Sequence, residues 1–163
     1  MQTYRHSLTL KVANRIMAAL IKLGVPVQGS GVPTALLTVP GRKSGLPRTT
    51  PVALLADRDG DGWRLMAPYG VVDWVKNLRA AGSATITMRG RSFGVTAREL
   101  SPAEGAPLLR EAVASASPML RKAFAPYFDA APEAPLTDWE HEAGRHPVFQ
   151  LTRKAPQPSP EGR

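Results

Sequence analysis

Short apolar segments separated by turn residues constrain the fold of this chain more than any other feature. They are rich in the β-branched and aromatic residues that favour strands, and glycine, proline or aspartate residues punctuate them. The six segments are Thr34–Val39, Thr49–Ala56, Trp63–Ala67, Ala84–Met88, Ser92–Leu100 and Pro147–Thr152. Because helices do not alternate with them, a doubly wound parallel sheet is disfavoured. Adjacent segments joined by short turns predict antiparallel hairpins, and hence a mainly β barrel with added helices, of the α+β class.

Helical patterns occupy the remaining segments. An apolar stripe with lysine and arginine residues off it predicts an amphipathic helix over 3–24. A second helix is expected over 72–81, and a capping box at Ser101–Glu104 predicts a third that ends near Ser115. A further helix is expected over 119–128, followed by a loop over 129–138 that is rich in proline and alanine.

The length of 163 residues suits one compact core with two appendages. We expect an N-terminal helix and linker over 1–30, a barrel domain over 31–154, and a proline-rich disordered tail over 155–163. The absence of cysteine excludes disulfides and thiolate metal sites, and it is consistent with a cytoplasmic location. No segment reaches the roughly 20 apolar residues of a membrane span, and basic residues interrupt the N-terminal stretch where a secretory leader would need an apolar core.

Charge is unevenly distributed along the chain. The first 56 residues contain seven of the 21 lysine and arginine residues and none of the 13 acidic ones. This asymmetry indicates an anionic partner, which composition alone does not identify. The helix over 3–24 has two interpretations: it packs on its own domain, or it rests on an anionic membrane, which would place the protein peripherally on the inner face of the cell membrane.

The most concentrated basic feature is the turn between the first two predicted strands, residues 40–48, here called the basic turn. It contains Arg42, Lys43 and Arg48, the hydroxyl of Ser44, and two glycines. Glycine allows close backbone approach, and arginine offers a planar fork of donors to phosphate or carboxylate. The spacing does not match a P-loop, so a nucleoside triphosphate is disfavoured and a different small anion is indicated.

Three other apparent motifs lack the residues that they need. The aspartates at 57–61 begin like a calcium loop, but Pro68 occupies the position that requires glutamate. His141 and His146 are one residue too far apart for a helical zinc pair, so no metal site is expected. Tyr4 is the only aromatic residue in the basic first third, which argues against a nucleic-acid partner that binds by base stacking.

Two linked motifs resemble the deazaflavin-dependent nitroreductase family, which includes F420H2-dependent quinone reductases. The first is the segment 36–52, which contains the basic turn, and the second comprises 65–70 and 73–80. The similarity is closest over about 30–100. It implies a flavin-binding-type split β-barrel with an N-terminal amphipathic helix, and coenzyme F420 as the hydride carrier. The phosphodiester and oligoglutamate tail of that coenzyme would account for the basic first third.

The resemblance also implies roles for individual residues. Those implied for the phosphate and tail of the cofactor are Arg42, Lys43, Ser44 and Arg48. Those implied for the deazaflavin ring are Thr50, Pro51, Val52, Ala67, Pro68, Tyr69 and Gly70. Those implied for the helix that closes the pocket are Trp74, Asn77 and Leu78. For the last three, ordinary core packing or backbone capping is the alternative interpretation.

The implied reaction is hydride transfer from reduced F420 to a small electrophilic acceptor, which is a quinone, an activated enone or a nitroaromatic compound. The product anion would need a proton, and Tyr127 is the C-terminal aromatic residue that is able to donate one. Phe124, Phe128 and Trp139 are the other aromatic candidates to cover the acceptor. Two alternatives remain open: an FMN-binding or non-catalytic cofactor-carrying barrel, and a basic module for membrane or nucleic acid.

Overall fold

Six antiparallel strands close into a barrel in the computed structural model, which describes residues 33–57, 60 and 62–155. The strands are β1 (Thr34–Pro40), β2 (Pro47–Ala56), β3 (Gly62–Met66), β4 (Ser83–Met88), β5 (Arg91–Glu99) and β6 (Val148–Arg153). Their order around the barrel is β1-β2-β3-β6-β5-β4, and β1 pairs with β4 to complete it. All six lie within two residues of the predicted segments, so the α+β barrel prediction is confirmed.

Alternation along each strand sends one set of apolar side chains into the barrel. In β1 the inward residues are Ala35, Leu37 and Val39, and antiparallel pairing places Val52 of β2 on the same face. Phe149 and Leu151 of β6 complete the core between β3 and β5. Full burial of a large apolar side chain stabilises the fold by roughly 1.5–3 kcal/mol, so this barrel core is the main source of stability.

Four helices surround the barrel among the described residues: α1 (Asp73–Ala81), α2 (Pro102–Ser115), α3 (Pro118–Phe124) and α4 (Leu136–Arg145). The capping box at the start of α2 is confirmed, since Ser101 Oγ accepts the Glu104 N–H and the Glu104 carboxylate accepts the Ser101 N–H. A second apolar cluster packs α2 and α4 against the outside of the barrel. Its buried members are Ala106, Leu109, Trp139, Ala143 and Val148.

Two predictions about the C-terminal third are corrected. The helix expected over 119–128 ends at Phe124, and the loop expected over 129–138 gives way to α4 at Leu136. The buried face of α4 consists of Trp139, Glu142 and Ala143. Because a charged residue occupies the middle of that face, hydrophobic periodicity did not reveal the helix.

The predicted helix over 3–24 and nearly all of the predicted tail lie outside the described residues, so the proposed domain boundaries stay predictions. Within the described ranges, no helix combines the length and the apolar character needed to cross a membrane.

Candidate functional site

The basic turn is a compact hairpin loop at one end of the barrel. The Gly41 N–H donates to the Leu46 carbonyl at 2.8 Å, and the Gly45 N–H donates to the Gly41 carbonyl at 2.8 Å. A Cβ atom at Gly41 would lie 2.9 Å from Ser44 Oγ, while Gly45 has a φ of 67°, which favours glycine. The two glycines therefore permit a tightly closed turn, and the side chains of the turn extend away from its backbone.

Arg42 ties this turn to α1. The Arg42 backbone N–H and Nη1 both donate to Asn77 Oδ1, at 3.2 Å and 2.9 Å. The same guanidinium reaches Asp73 Oδ1 at 3.2 Å. Asn77 is buried, so its side-chain oxygen has a fixed position on the first turns of the helix. Arg42 is consequently committed in part to holding the turn in place.

The other basic residues of the turn face solvent. Lys43, Ser44 and Arg48 are exposed, and neither Lys43 nor Arg48 forms an ion pair with any residue in the described part of the chain. Ser44 Oγ accepts the Leu46 N–H within the turn. Two cations therefore remain available beside backbone that is already ordered, which is a favourable arrangement for an anionic ligand.

The β3–α1 loop (Ala67–Val72) lies directly before the helix that holds the turn. The Gly70 N–H donates to the Ala67 carbonyl, Gly70 has a φ of 77°, and a Cβ atom there would lie 3.4 Å from the Arg145 carbonyl oxygen. Within this loop Tyr69 is 40% exposed. Because α1 begins at Asp73, which bonds to Arg42, the end of the loop lies beside the basic turn.

Aromatic residues from α3 and the following loop meet Tyr69. The Tyr69 and Tyr127 rings make an edge contact at 5.0 Å between centroids, and Phe124 lies 6.0 Å away in a similar geometry. Tyr127 is thus adjacent to the β3–α1 loop, although about 58 residues separate the two tyrosines along the chain.

A cavity of about 630 Å³ borders the same loop. It lies between the outer face of β2 and β3 and the helices α2 and α3, and its lining is mainly aliphatic and aromatic. Pro68, Phe124 and Phe128 line the part nearest the loop, and Arg64 and Glu111 are its charged members. Its volume suits a small organic molecule.

The structure distributes the predicted ring and pocket residues between two environments. Pro51, Pro68, Tyr69 and Gly70 are at least partly accessible, and Thr50 is partly buried at the same end of β2. The residues that belong to the barrel core are Val52, Ala67 and Leu78, while Trp74 packs against it and contacts Phe149. Core membership favours a supporting role for these side chains rather than direct ligand contact.

A buried polar network that the sequence did not reveal supports the loop between α3 and α4 (residues 125–135). Glu142 Oε1 accepts the backbone N–H groups of Asp129 and Ala130 at 2.7 Å and 2.9 Å, and Arg145 donates to Glu142 Oε2 at 2.7 Å. His146 is also buried, and its ring lies between backbone carbonyls of Ala67 and Tyr127. Burial lowers the pKa of His146, and its hydrogen bonds and Glu142 oppose that shift only in part.

His141 and His146, whose spacing resembles that of a zinc motif, lie in different environments. His141 is exposed, whereas His146, five residues on, is buried. In the part of the chain that the structure describes, no group of three or more His, Cys, Asp or Glu side chains is arranged to hold a metal ion.

Comparison with solved structures places the barrel in a recognised class. An F420-H2-dependent reductase, FDR-A, superposes with a TM-score of 0.50 at 20% identity, covering 73% of this chain and 93% of that one. A chain described as a domain-swapped dimer gives a TM-score of 0.52 at 20% identity, covering 88% of this chain and 96% of that one. At this level of identity the likeness concerns the fold alone, and it agrees with the predicted split β-barrel.

The sequence comparison gives the family itself. The model of the F420H(2)-dependent quinone reductase family matches residues 11–123, more than half of the chain, and the protein belongs to that family. The membership that the two motifs predicted is therefore confirmed. The F420H(2)-dependent quinone reductase Rv1261c of Mycobacterium tuberculosis is 36% identical over 74 residues, which are 43% of this chain and 48% of that protein. The chain thus spans about half the length of the curated relatives that it matches.

Proposed function

We propose that this protein is an F420H2-dependent reductase that transfers hydride to a small electrophilic acceptor. The observation that carries the proposal is the Arg42–Asn77–Asp73 contact, because it joins the two motifs into one site. The basic turn and the candidate ring-binding loop are thereby linked through the start of α1, where Asn77 is buried and Asp73 is exposed. The names of the family and of its relatives agree with this assignment.

The accessible residues fit the charge of the cofactor. Lys43 and Arg48 would meet the phosphate and the oligoglutamate tail of F420, with the Ser44 hydroxyl beside them. Arg42 would contribute through a guanidinium that Asn77 and Asp73 already orient. A preformed cationic surface reduces the entropy lost on binding, which favours a ligand with several negative charges.

The β3–α1 loop and the end of β2 would form the ring site. Pro51, Pro68, Tyr69 and Gly70 offer flat or small surfaces there, while Val52, Ala67 and Leu78 hold them from the barrel core. Thr50 would add a hydroxyl from this part of β2, and Trp74 and Asn77 would close the site on the side of α1.

The cavity beside Pro68 would admit the acceptor. When bound, reduced F420 supplies a hydride, which carries two electrons and one proton. The mainly apolar lining suits a quinone, an activated enone or a nitroaromatic compound. Tyr127 lies next to Phe128, which lines the cavity, and is not itself a lining residue. Its hydroxyl would donate the proton that neutralises an acceptor bound at the end of the cavity near the β3–α1 loop, with its ring oriented by Tyr69.

Titration of the purified protein with F420 and, separately, with FMN tests the cofactor assignment. We expect F420 to bind and FMN to bind more weakly, and preference for FMN would refute the assignment. Lys43→Ala and Arg48→Ala should each weaken F420 binding about tenfold, corresponding to loss of one charge-assisted contact of about 1.4 kcal/mol. Arg91→Ala, at an exposed position in another hairpin, is the matched control and should leave affinity unchanged.

A screen of quinones, enones and nitroaromatic compounds with reduced F420 tests the acceptor class. Peripheral membrane contact through 3–24 and a cytoplasmic location stay predictions, because that helix lies outside the described residues. Steep salt-dependent DNA binding without affinity for either cofactor would instead favour a basic interaction module.

A further inference from the structure

His146 lies between two segments that are far apart in sequence. Its Nε2 is 2.9 Å from the Tyr127 carbonyl oxygen, and its Nδ1 is 3.3 Å from the Ala67 carbonyl oxygen. The ring also stacks on Phe128, with 4.3 Å between centroids. The side chain is only 6% exposed, so its position is determined by these contacts.

Both segments belong to the candidate site. Ala67 begins the β3–α1 loop, which presents Tyr69, and the Tyr127 backbone carries the candidate proton donor. The Tyr69 and Tyr127 rings contact each other at 5.0 Å between centroids. The two segments are therefore connected twice: through their backbone carbonyls, which both face His146, and through the side chains of the two tyrosines. A shift of His146 would therefore alter the distance between them.

The charged groups around the ring hold the second segment in place. From α4, Glu142 Oε2 lies 3.4 Å from His146 Nε2, and Arg145 bonds to that carboxylate. From the α3–α4 loop, Asp129 pairs with Arg145 at 2.8 Å and donates its backbone N–H to Glu142. The β3–α1 loop faces the ring with a backbone carbonyl, and its titratable residue Tyr69 is directed to Tyr127.

The ring chemistry makes the two carbonyl contacts unequal. A neutral imidazole has one N–H donor, and here both nitrogens face acceptors. The shorter contact, together with the nearby Glu142 oxygen, favours the proton on Nε2, where it is donated to the Tyr127 carbonyl. The Ala67 carbonyl, which already accepts the Gly70 N–H, gains a second donor from the ring only in the imidazolium form. The neutral ring thus secures the segment that carries Tyr127 more firmly than the β3–α1 loop.

We propose that His146 is a positioning residue that holds the Tyr127 segment against the β3–α1 loop and thereby sets the position of the Tyr127 hydroxyl. The consequence for turnover rests on the proposed function, whereas the connection between the two segments does not. Tyr127 is the group that would touch the substrate, and His146 acts through it.

Two variants separate hydrogen bonding from packing. His146→Phe keeps a ring to stack on Phe128 but removes the donor to the Tyr127 carbonyl. His146→Gln places an amide N–H near the position of Nε2 and should restore that bond. His141→Phe changes an exposed histidine of α4, five residues before His146, and is the matched control. A misplacement of about 1 Å can cost up to about a hundredfold in rate, so the expected effect on kcat is large enough to measure.

Hydrogen exchange of the Asp129 and Ala130 amides is the readout that needs no cofactor. We expect exchange to become at least fivefold faster in His146→Phe and to stay within twofold of wild type in His146→Gln and His141→Phe. In steady-state assays with reduced F420, kcat should fall about tenfold or more in His146→Phe while the F420 dissociation constant changes less than twofold. In His146→Gln, the pH profile of kcat should lose the part that comes from titration of a histidine. Replacing a residue with a merely structural role would not remove that part.

The outcomes are distinguishable. Unchanged amide exchange in His146→Phe would overturn the connection, and faster exchange with unchanged kcat would overturn its role in positioning Tyr127. If His146→Phe does not fold, a failure of His146→Gln to keep wild-type exchange would overturn the hydrogen-bond assignment. A wild-type protein that binds no F420 would refute the proposed function, and the exchange data would still decide the connection.

Discussion

The contact between Arg42 and Asn77 leads to the sharpest prediction about the candidate site. Asparagine and leucine have the same shape, so Asn77→Leu removes the acceptor for two hydrogen bonds while retaining the packing volume. The backbone bond contributes roughly 1 kcal/mol. The guanidinium bond contributes about 0.5–1 kcal/mol, because the Arg42 side chain is 31% exposed and keeps Asp73.

The expected loss of unfolding free energy is therefore about 1.5–2 kcal/mol, or about 3–8 °C in Tm for a chain of this length. In Asn77→Leu, α1 would no longer hold the basic turn through Asn77, so the ligand would have to order the turn when it binds. Ordering the backbone of one residue costs roughly 1–2 kcal/mol, so F420 affinity should fall about tenfold. Urea unfolding followed by tryptophan fluorescence gives the first quantity, and cofactor titration gives the second.

Asn77→Asp is the matched control, because it keeps an oxygen where Oδ1 accepts both bonds. It should retain F420 affinity within about twofold. Wild-type stability and affinity in Asn77→Leu would refute the reasoning, since the tether would then contribute nothing. Equal damage in both variants would show that the amide matters by its shape or neutrality and not as an acceptor for Arg42.

Three further predictions concern stability. Glu142→Gln breaks a buried ion pair and should lower the free energy of unfolding in urea by about 3 kcal/mol. Glu140→Gln, at an exposed position of the same helix, should lower it by less than about 0.5 kcal/mol, and equal losses would contradict the network at Glu142. Gly45→Ala should lower stability by roughly 1–2 kcal/mol because φ is 67°, and Gly45→Asn by less, so equal stabilities in thermal melts would argue against the turn conformation. Burial lowers the pKa of His146 in the folded protein, so as pH falls the unfolded chain binds the extra proton first and stability should decrease below about pH 6.5. The same decrease in His146→Gln would show that another group is responsible.

Local sequence patterns predicted the elements that depend on neighbouring residues. The six strands, the capping box at Ser101 and the hairpin that carries the basic turn all follow from alternation, caps and turn residues, and each is present. Helix α4 was missed because Glu142 stands in the middle of its buried face. A charge is normally solvent-exposed, and only its bonds to Asp129, Ala130 and Arg145 allow this one to be buried.

The sequence by itself determined the barrel class, the family and the turn in which Arg42, Lys43 and Arg48 are concentrated. Tertiary structure alone decided the contacts of those cations: Arg42 is bonded to Asn77, 35 residues away, while Lys43 and Arg48 are exposed. It likewise decided that His146 joins Ala67 to Tyr127 across 79 and 19 residues. The physical reason is that such contacts form only when the barrel closes, with β6 inserted between β3 and β5. No pattern within a short window records which distant carbonyl or amide a side chain will meet.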